Sequence, residues 1–459
     1  MTLSVNRSFR IIPILLIAMV LGCLSPFSPA SVAAEASGTG NIPNLINVKS
    51  TGAAGDGATN DTKAFITALE MAAARPGGAK VIVPQGTYLI DLEDPLYVKG
   101  NVQVIGKGAP TLKFVNFSSD PDQYGYEAFY VSGNNIAIDG IIVDGNESLI
   151  RGIGVHTGSR NIKISGCTIK NITQAENSEL PQYSALISGI LIYGNTQNVT
   201  VYNSTITNIS AIHENPIARG ILVWSEPNQP FAQNVRILKN NFSYITPRED
   251  ADAIYFDKTP ENTPKSNSLI QGNQIHHVGK RGIKIAAPGV TVKSNHITNS
   301  YNGNNYYLFP NSNPLPQDMF SAISVYASHV NVTGNLIDGI GSYYAAIEAD
   351  LGILTNITIE KNSISNGHQA NIEDTNGIRL GQIRNFIVTD NSISNMRSGI
   401  FSPIDTSQSG SISSNTISNV EYGILFVAPE ISYQTSNVEV KNNTITSRQD
   451  HILSLPNLK

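Results

Sequence analysis

The sequence predicts an all-β chain wound as a single-stranded solenoid, a parallel β-helix, and two observations carry that prediction. Short runs of two-residue alternation recur from end to end. In Gly279–Asn299, for example, Ile283 and Ile285 share one strand face, and a second run follows through Val290, Val292 and Ile297. Such a run buries one face and wets the other. An asparagine also recurs just before the last isoleucine of each copy, at Asn240, Asn273, Asn295, Asn335, Asn362, Asn391, Asn415 and Asn443; Ser204, Cys167 and Ile141 take the slot earlier. The copies are 22 to 40 residues apart, the shortest step (Asn273 to Asn295) being the bare coil and longer steps the same coil with a loop.

A unit of short strands and turns cannot bury a face alone, so the copies must stack, about 4.8 Å apart. The slot asparagines then form an internal ladder, each amide bonding to the next. Cys167 shares that slot and reads as an inward stacking residue, not a nucleophile. The spacing gives about 10–12 coils.

In chain order, Arg7 and Arg10 precede an apolar run from Ile11 to Leu24, followed by Ser-Pro-Phe-Ser-Pro-Ala-Ser-Val-Ala-Ala. This pattern predicts a signal peptide over 1–34, cleaved after Ala33 or Ala34, and a secreted chain. A looser match around Cys23 to a lipid-anchor site is the minor alternative, and the run is too short for a stable membrane span. The mature chain keeps one cysteine, so it has no internal disulfide and relies on its core. Without Arg7 and Arg10 the 30 basic residues fall to 28 against 35 acidic, a net −7. That balance argues against nucleic acid and anionic membrane surfaces as partners. The β-helix domain is placed at 35–459, with a cap motif at 41–90, repeats over 100–446 and a tail at 447–459.

Residues 46–62 read as a strand, the glycine-rich turn Gly52-Ala-Ala-Gly-Asp-Gly57 and a helix cap at Asn60 or Asp61. Phe65, Ala68, Leu69 and Ala72 form an apolar stripe at helical spacing, Pro76-Gly77-Gly78 ends the helix, and Val81-Ile-Val-Pro-Gln-Gly-Thr-Tyr88 resumes as strand. The unit caps the open end of the solenoid. Its glycines and Asp56 read as structural, because no Gly-Lys-Ser/Thr follows the turn. This motif resembles the N-terminal motif of the pectate-lyase and polygalacturonase superfamily of right-handed β-helix proteins. The resemblance implies a right-handed helix with an N-terminal capping helix, and a secreted protein acting on polysaccharide.

With the coils in register, Ile153, Ile190, Ile221, Ile254, Ile283, Ile323, Ile347 and Ile378 form an inward column. One position later Gly154, Leu191, Leu222, Tyr255, Lys284, Ser324, Glu348 and Arg379 face out, and three later so do His156, Tyr193, Trp224, Asp257, Ala286, Tyr326, Asp350 and Gly381. Two positions before the isoleucines lie Arg151, Ser188, Arg219, Asp252, Arg281, Ser321, Ala345 and Asn376. Rings among charges suit a sugar-binding strip, with Tyr193, Trp224, Tyr255 and Tyr326 as platforms and Arg219, Glu348 and Arg379 as polar contacts. Insertions at 173–186, 211–217, 225–232, 246–266 and 300–319, the last with Tyr301, Tyr306, Tyr307 and Phe309, would wall the strip.

The catalytic candidates are Asp250, Asp252 and Asp257 on one coil and Arg281 and Lys284 on the next. In the polygalacturonase family these coils read Asp-Asp-Cys-Ile-Ala and Gly-His-Gly-Ile, and three aspartates act as general acid and as base. Asp252 matches the second aspartate of the pair. Ala251 stands where the first belongs, Arg219 where the preceding coil's aspartate belongs and Arg281 where the histidine belongs; Ser324 and Tyr326 replace the family's Arg-Ile-Lys. The Tyr-Gly-Phe-Asp-Pro-His motif of mannuronan epimerases is absent. Cleavage of an acidic polysaccharide by β-elimination is therefore set slightly ahead of hydrolysis. Arg281 or Lys284 would be the base, and Ca²⁺ is a candidate cofactor through Asp250, Asp252 and Asp257. The alternatives are a polygalacturonase-type hydrolase, a non-catalytic glycan binder, and a purely structural ion ladder of Arg219, Asp252 and Arg281. His276-His277 lacks metal-ligand spacing and reads as a turn. The sugar, the linkage and the oligomeric state stay open.

Overall fold

The computed structural model describes residues 44–213, 217–246, 250–259, 263–298, 306–307, 315–316, 321–339, 345–366, 375–403, 408–427 and 437–455. The signal segment, Cys23, Tyr301, Phe309 and most of the 300–319 insertion lie outside them. Each coil contributes one strand to a 14-stranded sheet and its other strands to a 25-stranded sheet. Every described pairing in these two sheets is parallel, such as Arg236–Leu238 with Ser268–Gln271 and then Val290–Lys293. Setting aside Leu45–Asn47 and Lys80–Val83, which belong to the cap, leaves twelve strands in the smaller sheet, within the expected 10–12 coils.

The register is the one the sequence implies. Ile153 pairs with Ile190, Ile190 with Ile221, Ile221 with Ile254, Ile254 with Ile283, Ile283 with Ile323, Ile323 with Ile347 and Ile347 with Ile378. All eight are fully buried. The column continues through Ile400, Ile424 and Ile452. Together with the inward residues of the other strands, such as Val199, Ile237, Ile270 and Val292, they make one continuous core along the rod.

At the turn after each strand of the smaller sheet, Asn240, Asn273, Asn295, Asn335, Asn362, Asn391, Asn415 and Asn443 form the expected ladder. From Asn273 onward each carboxamide oxygen accepts the backbone N–H and the Nδ2 of the preceding rung at 2.9–3.1 Å, as from Asn240 to Asn273 and from Asn273 to Asn295, while Asn240 accepts the Ser204 N–H. Cys167 and Ser204 occupy earlier rungs, and burial pushes the Cys167 thiol up to about 12, which suits a packing role. A second, exposed ladder runs from Asn101 through Asn135, Asn161 and Asn198 to Asn234, in side-chain bonds of 2.7–3.0 Å. These residues sit at φ between 53° and 62°, a left-handed conformation that asparagine tolerates better than most.

The cap helix forms as its composition implies, but a 3₁₀ turn, Val48–Thr51, follows the first strand, and a strand, Asp56–Asn60, paired with Thr87–Asp91, stands where the glycine turn and helix cap were expected. The helix spans Thr62–Ala73 and buries Phe65, Ala68, Leu69 and Ala72. Asn60 accepts the Thr62 N–H, while buried Asp61 turns back to accept the Ala54 and Gly55 amides and so ties the glycine turn to the helix start. Asp56 holds its own turn: the Thr59 and Ala58 amides and the Thr59 hydroxyl keep its carboxyl low, at about 2.

Candidate functional site

The outward positions of strands Ile217–Trp224, Asp250–Phe256, Arg281–Ile285 and Ser321–Val325 meet on one face. Pairing of Arg219 with Asp252 and of Asp252 with Arg281 brings the three charges onto adjacent coils, as the register requires. Asp250, two residues before Asp252, reaches the same place. Arg219 lies 2.6 Å from Asp250 and 3.3 Å from Asp252; Arg281 lies 3.3 and 3.4 Å from them, and Lys284 3.6 and 4.0 Å.

Three cations therefore share two carboxylates. Burial by itself would raise the Asp250 carboxyl, but Arg219, Lys284 and Arg281 overcome it and hold that group well below the usual carboxylate range. Burial acts in the opposite sense on Arg281, where Asp252, Tyr326 and Asp250 win and hold the guanidinium still more firmly charged. Lys284 ends on the other side: burial, helped by Arg219 and Arg281, lowers its ammonium despite both aspartates. Among the described residues Arg219 and Arg281 already balance Asp250 and Asp252, so the aspartates do not offset burial at Lys284.

Depth corrects several expectations. Asp252 is wholly buried and Arg219 is 1% exposed, beneath the Tyr255 ring 5.0 Å away. Neither is in the rod's core, since the inward positions beside them are Ala218, Ala251 and Ala253. They are sealed by neighbouring side chains on the outer face. Arg219, expected to bind substrate, is thus an internal counter-ion, and Asp252 is withdrawn from any substrate. Arg281, expected as a base, is held protonated.

The aromatic strip is also occupied by its neighbours. Tyr255 takes Arg219 and Lys284 over its ring, Lys284 at 4.1 Å; Tyr326 takes Arg281; Tyr193 stacks on His156 at 4.7 Å and meets the Trp224 edge at 5.8 Å. Tyr193, Tyr255 and Tyr326 accordingly do not offer open platforms as expected, which leaves half-buried Trp224 as the strip's best ring for a sugar face. Leu191 and Leu222 face out but are covered.

Asp257 turns away from the other two aspartates. Its carboxylate accepts the Tyr255 hydroxyl and the Lys258 N–H. Among the described residues no three acidic, histidine or cysteine side chains are placed to hold a metal. Asp250 and Asp252 already face three cations, so these residues do not fit a calcium ion, and the calcium expectation is set aside on that chemistry.

Two coils beyond Lys284 lies a second acid. Buried Glu348 accepts from Tyr326 at 2.8 Å, Ser324 at 3.0 Å and Ser321 at 3.3 Å. Burial raises its carboxyl, only partly offset by the Tyr326 and Ser324 bonds and by Arg281. Arg379 follows on the next coil, 3.4 Å from Asp350, with 22% of its side chain exposed. Because the folded chain holds the Glu348 proton more tightly than the unfolded chain, the stability this group adds is complete below its unfolded value near 4.3 and is lost as pH rises through the raised folded value. Glu348→Gln should flatten that fall in thermal melts taken from pH 4 to 8; parallel curves for the two proteins would show that Glu348 titrates normally.

Sequence reasoning missed a neighbouring cluster. Glu127 accepts His156 at 2.7 Å and Arg151 at 3.1 Å, His156 stacks on Tyr130 at 3.5 Å, and Arg151 donates to the Tyr193 hydroxyl at 3.2 Å. Gly154 makes this possible, since a β-carbon there would collide with the Glu127 carboxylate. Phe129 pairs with Ile153, so the isoleucine column extends one coil back with phenylalanine in its slot, and that substitution hid Glu127 and Tyr130.

Fold and site together define a right-handed parallel β-helix with a charged outer face of the kind found in carbohydrate-active β-helix proteins. The chain belongs to the rhamnogalacturonase A/epimerase, pectate lyase-like family, whose profile matches residues 45–307, and a right-handed β-helix region profile matches 317–454. Over 126 residues it is 32% identical to the pre-neck appendage protein of Bacillus phage phi29, spanning 27% of this chain and 14% of that protein's length. The surface adhesin PfbA of Streptococcus pneumoniae superposes with a TM-score of 0.61 at 18% identity, covering 82% of this chain and 90% of the adhesin structure. The A-module of the Azotobacter vinelandii mannuronan C-5 epimerase AlgE4 does so at 0.53 and 15%, covering 89% and 97%. At these identities the two structures share the fold. Among the described residues no helix is long and apolar enough to cross a membrane.

Proposed function

We propose that this chain is a secreted protein that cleaves an acidic, uronic-acid-containing polysaccharide by β-elimination, with Lys284 as the base. The observation that carries this reading is Lys284 itself: a lysine lowered by burial and two arginines, beside carboxylates that are already neutralised. Its neutral amine takes the C5 proton, the C–H electrons form the C4=C5 double bond, and the C4–O bond breaks. Glu348, its carboxyl raised by burial, together with Tyr326 supplies the proton to the leaving oxygen. Arg379 binds a uronate carboxylate and Trp224 a sugar face. A mannuronan C-5 epimerase module shares this fold.

Distance argues against hydrolysis. Asp250, its carboxyl held low, and Glu348, its carboxyl raised by burial, resemble a base and an acid. But their strands are three coils apart, Asp250–Phe256 to Arg281–Ile285 to Ser321–Val325 to Ala345–Ala349. At about 4.8 Å per coil that is about 14 Å, beyond the roughly 6.5–9.5 Å an inverting pair needs. A non-catalytic glycan-binding role remains as a second reading, favoured by the sealed Arg219–Asp252–Arg281 ladder and by the adhesin of the same fold.

Incubation with polygalacturonate and alginate should release products with the ultraviolet absorbance of a C4=C5 bond, unaffected by a chelator. Lys284→Met should slow that release at least about a hundredfold. The wild-type rate should climb with pH as Lys284 loses its proton, at values below the ordinary lysine range. Reducing ends without unsaturated product would make the protein a hydrolase; neither product, with binding retained, would make it a binder.

A further inference from the structure

We propose that the outer face of the 14-stranded sheet is a second glycan track, which takes an extended acidic polysaccharide away from the Lys284 face. A trough of about 1000 Å³ lies there. Its floor is one register row, in which Arg236, Leu269, Thr291, Asn331, Thr358, Ile387 and Ser411 pair in turn on seven consecutive strands. Six steps of about 4.8 Å make it about 29 Å long, room for several sugar units in line.

The chemistry of the lining selects the occupant. Asn267, Gln271, Asn331, Asn356 and Asn385 offer amides, and Thr291 and Thr358 offer hydroxyls, the groups that pair with a polyhydroxylated chain. Lys265, Lys293 and Arg236 supply positive charge, and among the described residues no carboxylate lines the trough. Both lysines are exposed, and among the described residues neither makes an ion pair or a side-chain hydrogen bond. The row continues N-terminally through Thr200, Lys163, Ala137, Gln103 and Lys80, adding two exposed cations and no anion. C-terminally the row passes into Glu439, which is paired with Lys441 at 2.9 Å. The adjoining row carries Asp139, engaged with Ser165, and Glu360, engaged with Thr333 and Lys361. On a chain of net charge −5 this is a local excess of cations, and it matches a polyanion.

This inference rests on the proposed substrate class but not on cleavage, so it is tested with a protein that cannot cut. Lys284→Met protein is titrated with polygalacturonate, with alginate and with neutral dextran by calorimetry at low and at moderate salt. The expected result is binding of an acidic chain that weakens with salt and falls about tenfold or more when Lys265→Glu and Lys293→Glu are added; dextran binds less well. Both lysines are exposed, and matching melting curves verify that the added substitutions leave the fold intact. Unchanged affinity in the charge-reversed protein overturns the proposal, as does equal binding of dextran or no binding of either acidic chain. Absence of unsaturated product from the wild-type protein, with charge-sensitive binding retained, would refute the lyase reading alone.

Discussion

Asp252→Ala is expected to destabilise the protein by about 3–5 kcal/mol, as read from the urea midpoint followed by circular dichroism. Asp252 is fully buried and lies 3.3 Å from Arg219 and 3.4 Å from Arg281. Removing it takes from two covered guanidiniums and Lys284 a carboxylate that all three face, leaving Asp250 to meet them. Arginine cannot shed its proton to escape that cost. The triple change Arg219→Met, Asp252→Leu and Arg281→Met should recover most of the loss, because it removes the buried charges together and leaves Asp250 paired with Lys284 at 3.6 Å. A wild-type midpoint for Asp252→Ala would mean that water reaches the cluster and that it is not sealed.

Asn273→Ala should cost about 4 kcal/mol, from the interior of the ladder. The Asn273 carboxamide oxygen accepts the Asn240 N–H at 2.9 Å and its Nδ2 at 3.1 Å, and its own Nδ2 donates to Asn295 and to the Ile237 carbonyl, both at 2.9 Å. Alanine strands two buried donors on Asn240, each worth about 1–3 kcal/mol when unsatisfied. Asn443 ends the described ladder and is only partly buried, so water can replace part of what it provides. Asn443→Ala should therefore cost less than half as much. Equal losses at the two positions would remove burial as the reason for the ladder's strength. In a solenoid each coil contacts mainly its neighbours, so the Asn273 variant should also broaden the unfolding transition.

Much of the fold is legible in the sequence because a solenoid repeats one local decision. Alternation sets which side chains of a strand face in, and the Asn-x-Ile spacing sets where each coil turns. Ile254, Tyr255 and Asp257 therefore fall in the same columns as Ile283, Lys284 and Ala286 without knowledge of anything distant. The cap helix is legible for a similar reason, since its stripe and its stop signal are both local. The Glu127–His156 pair was not legible, because Phe129 fills an isoleucine slot and breaks the pattern used to count coils. The exposed asparagine ladder was not either; it depends on left-handed turns that the alternation does not encode.

The sequence alone determined that this chain is a β-helix, and that Arg219, Asp252 and Arg281 are neighbours across coils. Only the tertiary structure decided how deep those charges lie and which protons they keep. Register follows from periodicity along one strand. Depth is set by long side chains arriving from other coils, here Tyr255 and Lys284 across Arg219 and the aspartates, and that burial separates sealed counter-ions from Lys284 with its lowered ammonium.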